Sequence, residues 1–271
     1  MSKTIMITGT SSGFGKETAK LFKQKGWNVV ATMRSPENGL EFSELDNVLV
    51  TRLDVQDPES IQNAVKETIQ RFGNIDVLVN NAGFGLMGVF ESATPEQIRK
   101  QYAVNVFGLM DVTHAVLPQM RQRGSGTIIN ISSFGGQIGL PLGTLYNSSK
   151  FAVEGFSESL SHEVSKLGIS VKIIEPGASA TNFRNGMEMI KNEIPEYIPI
   201  ITKFFERYQP TTAHLPKATP EDVAQIIYEA ATDGQPQLRY IIGEDARFHI
   251  DTKFKNSDPE FIQIMRDRFI N

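Results

Sequence analysis

Cysteine is absent from the 271 residues, which excludes disulfides, thiol catalysis and Cys-ligated zinc together. Histidine is nearly so, with four residues, and His114, with no metal-ligand spacing around it, reads as a packed or surface helix residue; no metal site is expected. There is no excess of positive charge. Lys and Arg total 27 against 31 Asp and Glu, a net charge of −4 with a pI near 5.7, so no basic field favours nucleic acid or an anionic membrane surface. No apolar run reaches the roughly 18 residues that a membrane span needs. The opening "MSKTIMITG" runs straight into a strand-like segment, without the charged stretch, long apolar core and cleavage site of a signal peptide. These absences together predict a cytoplasmic protein with neither nucleic acid nor membrane as partner.

What is present suffices for a sizeable core, since 40% of residues are hydrophobic and 21% charged. No repeat, low-complexity segment or linker divides the chain, so residues 1–271 are expected to form a single α/β domain. It opens with an apolar strand (Thr4 to Thr8), the glycine-rich "GTSSGFG" (Gly9 to Gly15) and a helical pattern ending near Gly26. Strand, glycine turn and helix open a dinucleotide-binding unit. Glycines let the backbone turn and approach a pyrophosphate, whose charge meets the free N–H groups of the helix N-terminus. Ser11 and Ser12 can add hydroxyl donors.

"WNVVATMR" (Trp27 to Arg34) reads as the second strand. An acidic residue at its end would favour a free ribose 2′-OH, whereas Arg34 favours a 2′-phosphate, hence NADP(H) over NAD(H). A third strand, Asn47 to Val55, ends at Asp54, placed either to meet an adenine amino group or to initiate the following helix, about Glu59 to Arg71. "IDVLVNNAG" (Ile75 to Gly83) is apolar enough for a central parallel strand buried on both faces. A long helix follows within Ser92 to Met120, its apolar face interrupted by Asn105, which either hydrogen-bonds locally or serves a site. "GTIINISS" (Gly126 to Ser133) is a fifth strand with Ser132 and Ser133 at its C-terminal end, where ligands bind in open α/β sheets.

Thirteen residues after Ser133 stands "YNSSK". On a helix over 144–160, Tyr146 and Lys150 project from one face a turn apart. A phenol ionises near pH ~10, and the neighbouring ammonium is expected to lower that value and make Tyr146 a proton donor and acceptor nearer neutrality. A sixth strand (Gly168 to Gly177) closes on Pro176 and Gly177, with Thr181 shortly after. Residues 182–217, rich in Met, Ile and Phe and broken by prolines, read as mobile helical pieces forming an apolar substrate cover. A capped helix (Thr219 to Gly234), a seventh strand (Leu238 to Gly243) and an apolar tail over 244–271, able to pack on the body or a neighbour, complete the chain.

From Thr4 to Gly243 the sequence resembles the short-chain dehydrogenase/reductase family in its shorter, single-domain branch. The resemblance is carried by "TGTSSGFG", "NNAG", the Asn of "VNVFG", Ser133 thirteen before Tyr146, YxxxK, and "PG" with a following Thr. It implies a Rossmann-type doubly wound seven-stranded parallel sheet of order 3-2-1-4-5-6-7, helices on both faces, and a catalytic set of Asn105, Ser133, Tyr146 and Lys150. In that set Tyr146 passes a proton to a carbonyl oxygen that Ser133 hydrogen-bonds, Lys150 holds the nicotinamide ribose and keeps the Tyr146 pKa low, and Asn105 holds a water. Gly9, Ser11, Ser12, Gly13 and Gly15 would cradle phosphates. Arg34, Asp54 and Asn81 would meet the adenosine half and Thr181 the carboxamide, with Ala82, Gly83, Pro176 and Gly177 as further cofactor-binding positions. Ser12 departs from a basic residue found there in some NADP-preferring members. The expected activity is NADPH-dependent reduction of apolar ketones or aldehydes. The alternatives are a hydroxysteroid-like alcohol dehydrogenase working oxidatively and a non-catalytic dinucleotide sensor. The resemblance further implies a homodimer or homotetramer assembled through helices around Ser92 to Met120 and Leu145 to Lys166.

Overall fold

The computed structural model describes residues 2–42, 46–178 and 187–271. Seven parallel strands form the main sheet: β1 (Thr4–Thr8), β2 (Asn28–Met33), β3 (Val48–Arg52), β4 (Val77–Asn80), β6 (Gly126–Ile131), β7 (Ile169–Pro176) and β9 (Arg239–Ile242). Their order is β3-β2-β1-β4-β6-β7-β9, the expected 3-2-1-4-5-6-7 once only these seven are counted. Two further short strands, β5 (Leu86–Met87) and β8 (Glu188–Met189), pair in parallel outside it, a feature that sequence periodicity does not reveal because two residues carry no period.

Alternation along the strands builds two cores. Ile5, Ile7, Val29 and Ala31 face one side, with Ala19 and Phe22 of α1 (Gly13–Gln24) and Val223 and Ile227 of α7 (Pro220–Thr232). Met6, Val30, Leu78 and Ile128 face the other, beneath Ile61 of α2 (Pro58–Phe72), Val112 and Val116 of α4 (Leu109–Arg123) and Leu160 of α5 (Thr144–Val164). All of β1 is buried, as a central strand covered on both faces must be.

Local chemistry fixes where the helices begin. Asp57 Oδ1 accepts the N–H of Glu59 (3.1 Å) and Ser60 (3.2 Å), so Asp57 initiates α2 and Asp54 does not. Thr94 and Gln97 close a capping box on α3 (Pro95–Tyr102), as Thr219 and Asp222 do on α7. The long helix expected within 92–120 is broken: a π-helical segment, Ala103–Gly108, joins α3 to α4, and Asn105 lies in it.

A third apolar cluster lies beyond the sheet. Phe204 of α6 (Ile198–Thr212), Ile250 of α8 (Glu244–Phe254) and Phe261, Met265 and Phe269 of α9 (Asp258–Phe269) pack on Phe134, Ile138, Leu140 and Leu142. The described part of the expected cover is thus strand β8, a short turn and one anchored helix, and the tail packs on the body.

Candidate active site

A cleft of about 520 Å³ opens at the carboxyl ends of β1, β2, β3, β4, β6 and β7. Ligands enter open α/β sheets there because each strand hands the chain to a loop on the same edge.

At one end lies the glycine loop. Gly9 and Gly13 adopt φ of +73° and +58°, which favour glycine. A Cβ on Gly15 would stand 2.4 Å from Gly9 O and 2.6 Å from Asn81 Nδ2, so a side chain there would fill the turn. Asn81 Nδ2 donates to the carbonyls of Thr8 (2.9 Å) and Gly9 (3.0 Å), while Thr8 Oγ1 accepts the N–H groups of Asn81 and Ala82, both at 3.0 Å. The two strand ends are therefore tied together. Helix α1 starts from Ser12 without a side-chain cap and with no acidic residue in its first turn, leaving its positive end available to an anion. Arg34 is exposed on the cleft wall beside Met33, and Asp54 lines it too, its Oδ1 accepting the N–H of Gln56 at 3.0 Å. Bare backbone, a free helix N-terminus and a cation at the end of β2 suit a dinucleotide.

At the other end stand Ser133, Tyr146 and Lys150. Ser133 follows β6 and caps a 3-10 turn, its Oγ accepting the N–H of Gly135 at 3.1 Å. Tyr146, in the first turn of α5, is half-buried and faces the cleft. Burial pushes its phenol up to about 12, and a hydrogen bond with Ser133 acts the other way. This corrects the expectation that Lys150 holds the phenol low. Lys150 Nζ donates to Ile131 O at 2.8 Å, lies 5.8 Å from the centre of the Tyr146 ring, and is itself buried; desolvation brings it down to about 8, with Glu154 opposing. Loss of hydration, acting on both groups, outweighs the pairing between them.

Asn105 resolves toward local bonding. Its Oδ1 accepts the Phe84 N–H (3.0 Å), and its Nδ2 donates to Phe84 O (2.9 Å) and Ser149 Oγ (3.1 Å), fixing the loop after β4 from behind the cleft. Gly15 also stands behind the wall. Gly9, Ser11, Ser12, Gly13, Asn81, Ala82, Gly83, Pro176 and Gly177 line it, as do Arg34, Asp54, Ser133, Tyr146 and Lys150. Thr181 lies outside the described residues.

Sequence reasoning missed several wall residues: Phe84, Met87, Lys100, Leu140 and Asn147. Asn147 sits inside the pentapeptide, and its Nδ2 donates to the carbonyls of Gly135 (2.8 Å) and Ile138 (3.0 Å), locking the loop after Ser133 to α5. A polar amide in the first turn of a helix, able to bond the backbone of the preceding loop, is the signal that could have found it. Lys100 and Glu188 form an ion pair of 2.5 Å across the rim, next to the β5–β8 pairing.

Residues 3–190 match the short chain dehydrogenase family model. The chain belongs to the short-chain dehydrogenase family. An uncharacterised oxidoreductase of Schizosaccharomyces pombe is 42% identical over 235 residues, covering 86% of this chain and 98% of that one. A short-chain dehydrogenase from Streptomyces avermitilis superposes with a TM-score of 0.86 at 34% identity, over 98% of this chain and 97% of its own. ElxO with NADP bound does so with a TM-score of 0.76 at 28% identity, over 89% of this chain and 97% of its own. This short-chain dehydrogenase is therefore an oxidoreductase whose cleft is suited to a nicotinamide dinucleotide.

Proposed function

We propose that the protein is an NADPH-dependent reductase of apolar ketones or aldehydes, with Asn105, Ser133, Tyr146 and Lys150 as its working set. The observation that carries this reading is the phenol of Tyr146, hydrogen-bonded to Ser133 and facing a cleft that continues into the glycine loop. The nicotinamide dinucleotide, when bound, supplies the hydride. With its pKa held near 12, Tyr146 is a neutral O–H donor at pH 7, the form that a carbonyl oxygen gaining negative charge requires. Ser133 Oγ–H adds a second donor to that oxygen and stabilises the developing charge. Lys150, still mostly charged at neutrality, offsets the phenolate left behind and orients ribose hydroxyls. Asn105 acts through the Phe84 loop that it clamps.

The substrate end of the cleft bears Phe84, Met87, Leu140, Met187 and Tyr208. Such a wall favours an apolar carbonyl compound by burial, and among the described residues it offers a charged one the Lys100–Glu188 pair at the rim. Arg34, with no carboxylate at the end of β2, supports NADP(H). Glycine-loop residues Gly9, Ser11, Ser12, Gly13 and Gly15 would hold the phosphates, and Asp54, Asn81, Ala82 and Gly83 the adenosine side. Oxidation of a lipophilic alcohol is the same chemistry reversed, and cellular cofactor ratios choose between them.

A panel of apolar ketones assayed with NADPH and NADH in parallel tests the reading. Arg34→Asp should raise KM for NADPH at least tenfold more than for NADH. An unmoved ratio rejects the cofactor preference, and no oxidation of either cofactor by any ketone rejects the reductase.

A further inference from the structure

Behind the cleft, out of reach of substrate, two carboxyl groups are buried side by side. Glu154 lies one turn along α5 from Lys150 and is 5% exposed; Glu175 lies on β7 just before Pro176 and is 1% exposed. Both are held by the same two donors. Gln137 Nε2 donates to Glu154 Oε2 (3.1 Å) and Glu175 Oε1 (2.9 Å), and Arg239 Nε stands 3.0 Å and 3.5 Å from the same atoms. The other oxygens, Glu154 Oε1 and Glu175 Oε2, are buried and receive no N–H or O–H from any described residue. Buried carboxylate oxygens without donors are costly, and two adjacent carboxylates repel. One proton between them gives each oxygen a partner and removes the repulsion.

The surrounding charges do not remove that need. Arg239, from β9, also serves Glu158 of α5, with Nη2 2.5 Å from Oε2, so three carboxylates divide one guanidinium. From α8, Lys253 donates to the Gln137 carbonyl (3.0 Å) and does not reach the pair, while Asp245 is occupied by the Ala178 N–H at 2.7 Å. Just after α7, Asp233 is engaged by the Tyr240 hydroxyl and Lys172. Among the described residues, Lys150, four positions before Glu154 on α5, is a further cation near the pair, and the charge of Glu154 raises its pKa.

We propose that Glu154 and Glu175 share one proton beneath the active site, and that its release to solvent, past half-exposed Gln137 and Arg239, keeps Lys150 charged as the medium becomes alkaline. Burial and the neighbouring Glu154 carry Glu175 up to about 7, whereas Lys150, drawn down to about 8, begins to discharge just above. The second negative charge therefore appears just before the ammonium would be lost. Glu175 is a positioning residue. Its effect on turnover rests on the reductase reading above; the shared proton does not.

Infrared titration of the protein alone, from about pH 5 to 9, should show a protonated-carboxyl band that disappears near neutrality and is missing in Glu175→Gln. Absence of such a band in the wild type overturns the shared proton without any variant. Lysine-labelled protein followed by NMR, with Lys150 assigned by its loss in Lys150→Arg, should show Lys150 titrating roughly one pH unit lower in Glu175→Gln, and the alkaline limb of kcat/KM should move down with it. An unmoved Lys150 titration overturns the coupling. If Lys150 shifts as stated while no carbonyl compound is turned over at any pH, the reductase reading fails and the coupling stands.

Discussion

At the scale of single residues, loss of hydration governs the titrating groups inside this protein. Tyr146, Lys150 and His249 all move in the direction that disfavours their charged forms. His249 of α8 is 2% exposed, stacks on Phe134 with ring centres 5.1 Å apart, and is brought down to about 4, mainly by burial and further by Arg268. A buried neutral imidazole binds fewer protons folded than unfolded below pH ~6.5, so its contribution is intact above that value and is lost as pH falls toward 4. The loss is on the order of 3 kcal/mol. His249→Phe, which keeps a stacking ring and removes the titration, should flatten the decline in Tm between pH 6.5 and 4.5; a decline as steep as that of the wild type would discount His249. None of this was legible in the sequence. The spacing of Tyr146 and Lys150 was, because a helix fixes which side chains are neighbours, but their pKa directions depend on a desolvation that only the packed structure creates.

Among elements, legibility followed periodicity and terminators. Strands buried on both faces, helices opened by Thr-Pro or Asp-Pro, and the glycine turn before α1 could all be read along the chain, with ends moving by a residue or two. Asp54 was open between adenine and the helix start because two aspartates lie within four residues; the α2 cap chooses Asp57. The π-segment at Asn105 and the β5–β8 pair were invisible, since the first carries on the helical pattern in the sequence and the second joins two-residue strands from distant loops. Gly15→Ala tests the element closest to function. Its new methyl group would press on Gly9 O and on the Asn81 amide that ties β1 to β4, costing about 1–3 kcal/mol and spreading the loop. The expected result, read by calorimetric titration, is at least tenfold weaker NADPH binding with helix content retained. Unchanged affinity would show that the turn tolerates a side chain and that the cradle lies elsewhere.

At the scale of the whole molecule, one sheet with two helical faces presents a cleft wall assembled from six strand ends, β1, β2, β3, β4, β6 and β7, and the C-terminal helices brace its far side through the Phe134 to Leu142 loop. Among the described residues no helix is long and apolar enough to cross a membrane. Phe107 and Phe151, on the segments proposed for assembly, remain 58% and 42% exposed, which suits burial by a second copy. Sedimentation should accordingly give a dimer or tetramer for the wild type and a smaller species for Phe107→Asp; a wild-type monomer at micromolar concentration would reject the assembly. In the proposed reaction Tyr146 delivers the proton while hydride leaves NADPH. Single-turnover oxidation of bound NADPH by an apolar ketone tests it most directly, in the wild type and in Tyr146→Phe. The rate should be at least a thousandfold lower in the variant, of order 4 kcal/mol in the barrier, with NADPH affinity within about threefold. A variant that oxidises NADPH at the wild-type rate would contradict it.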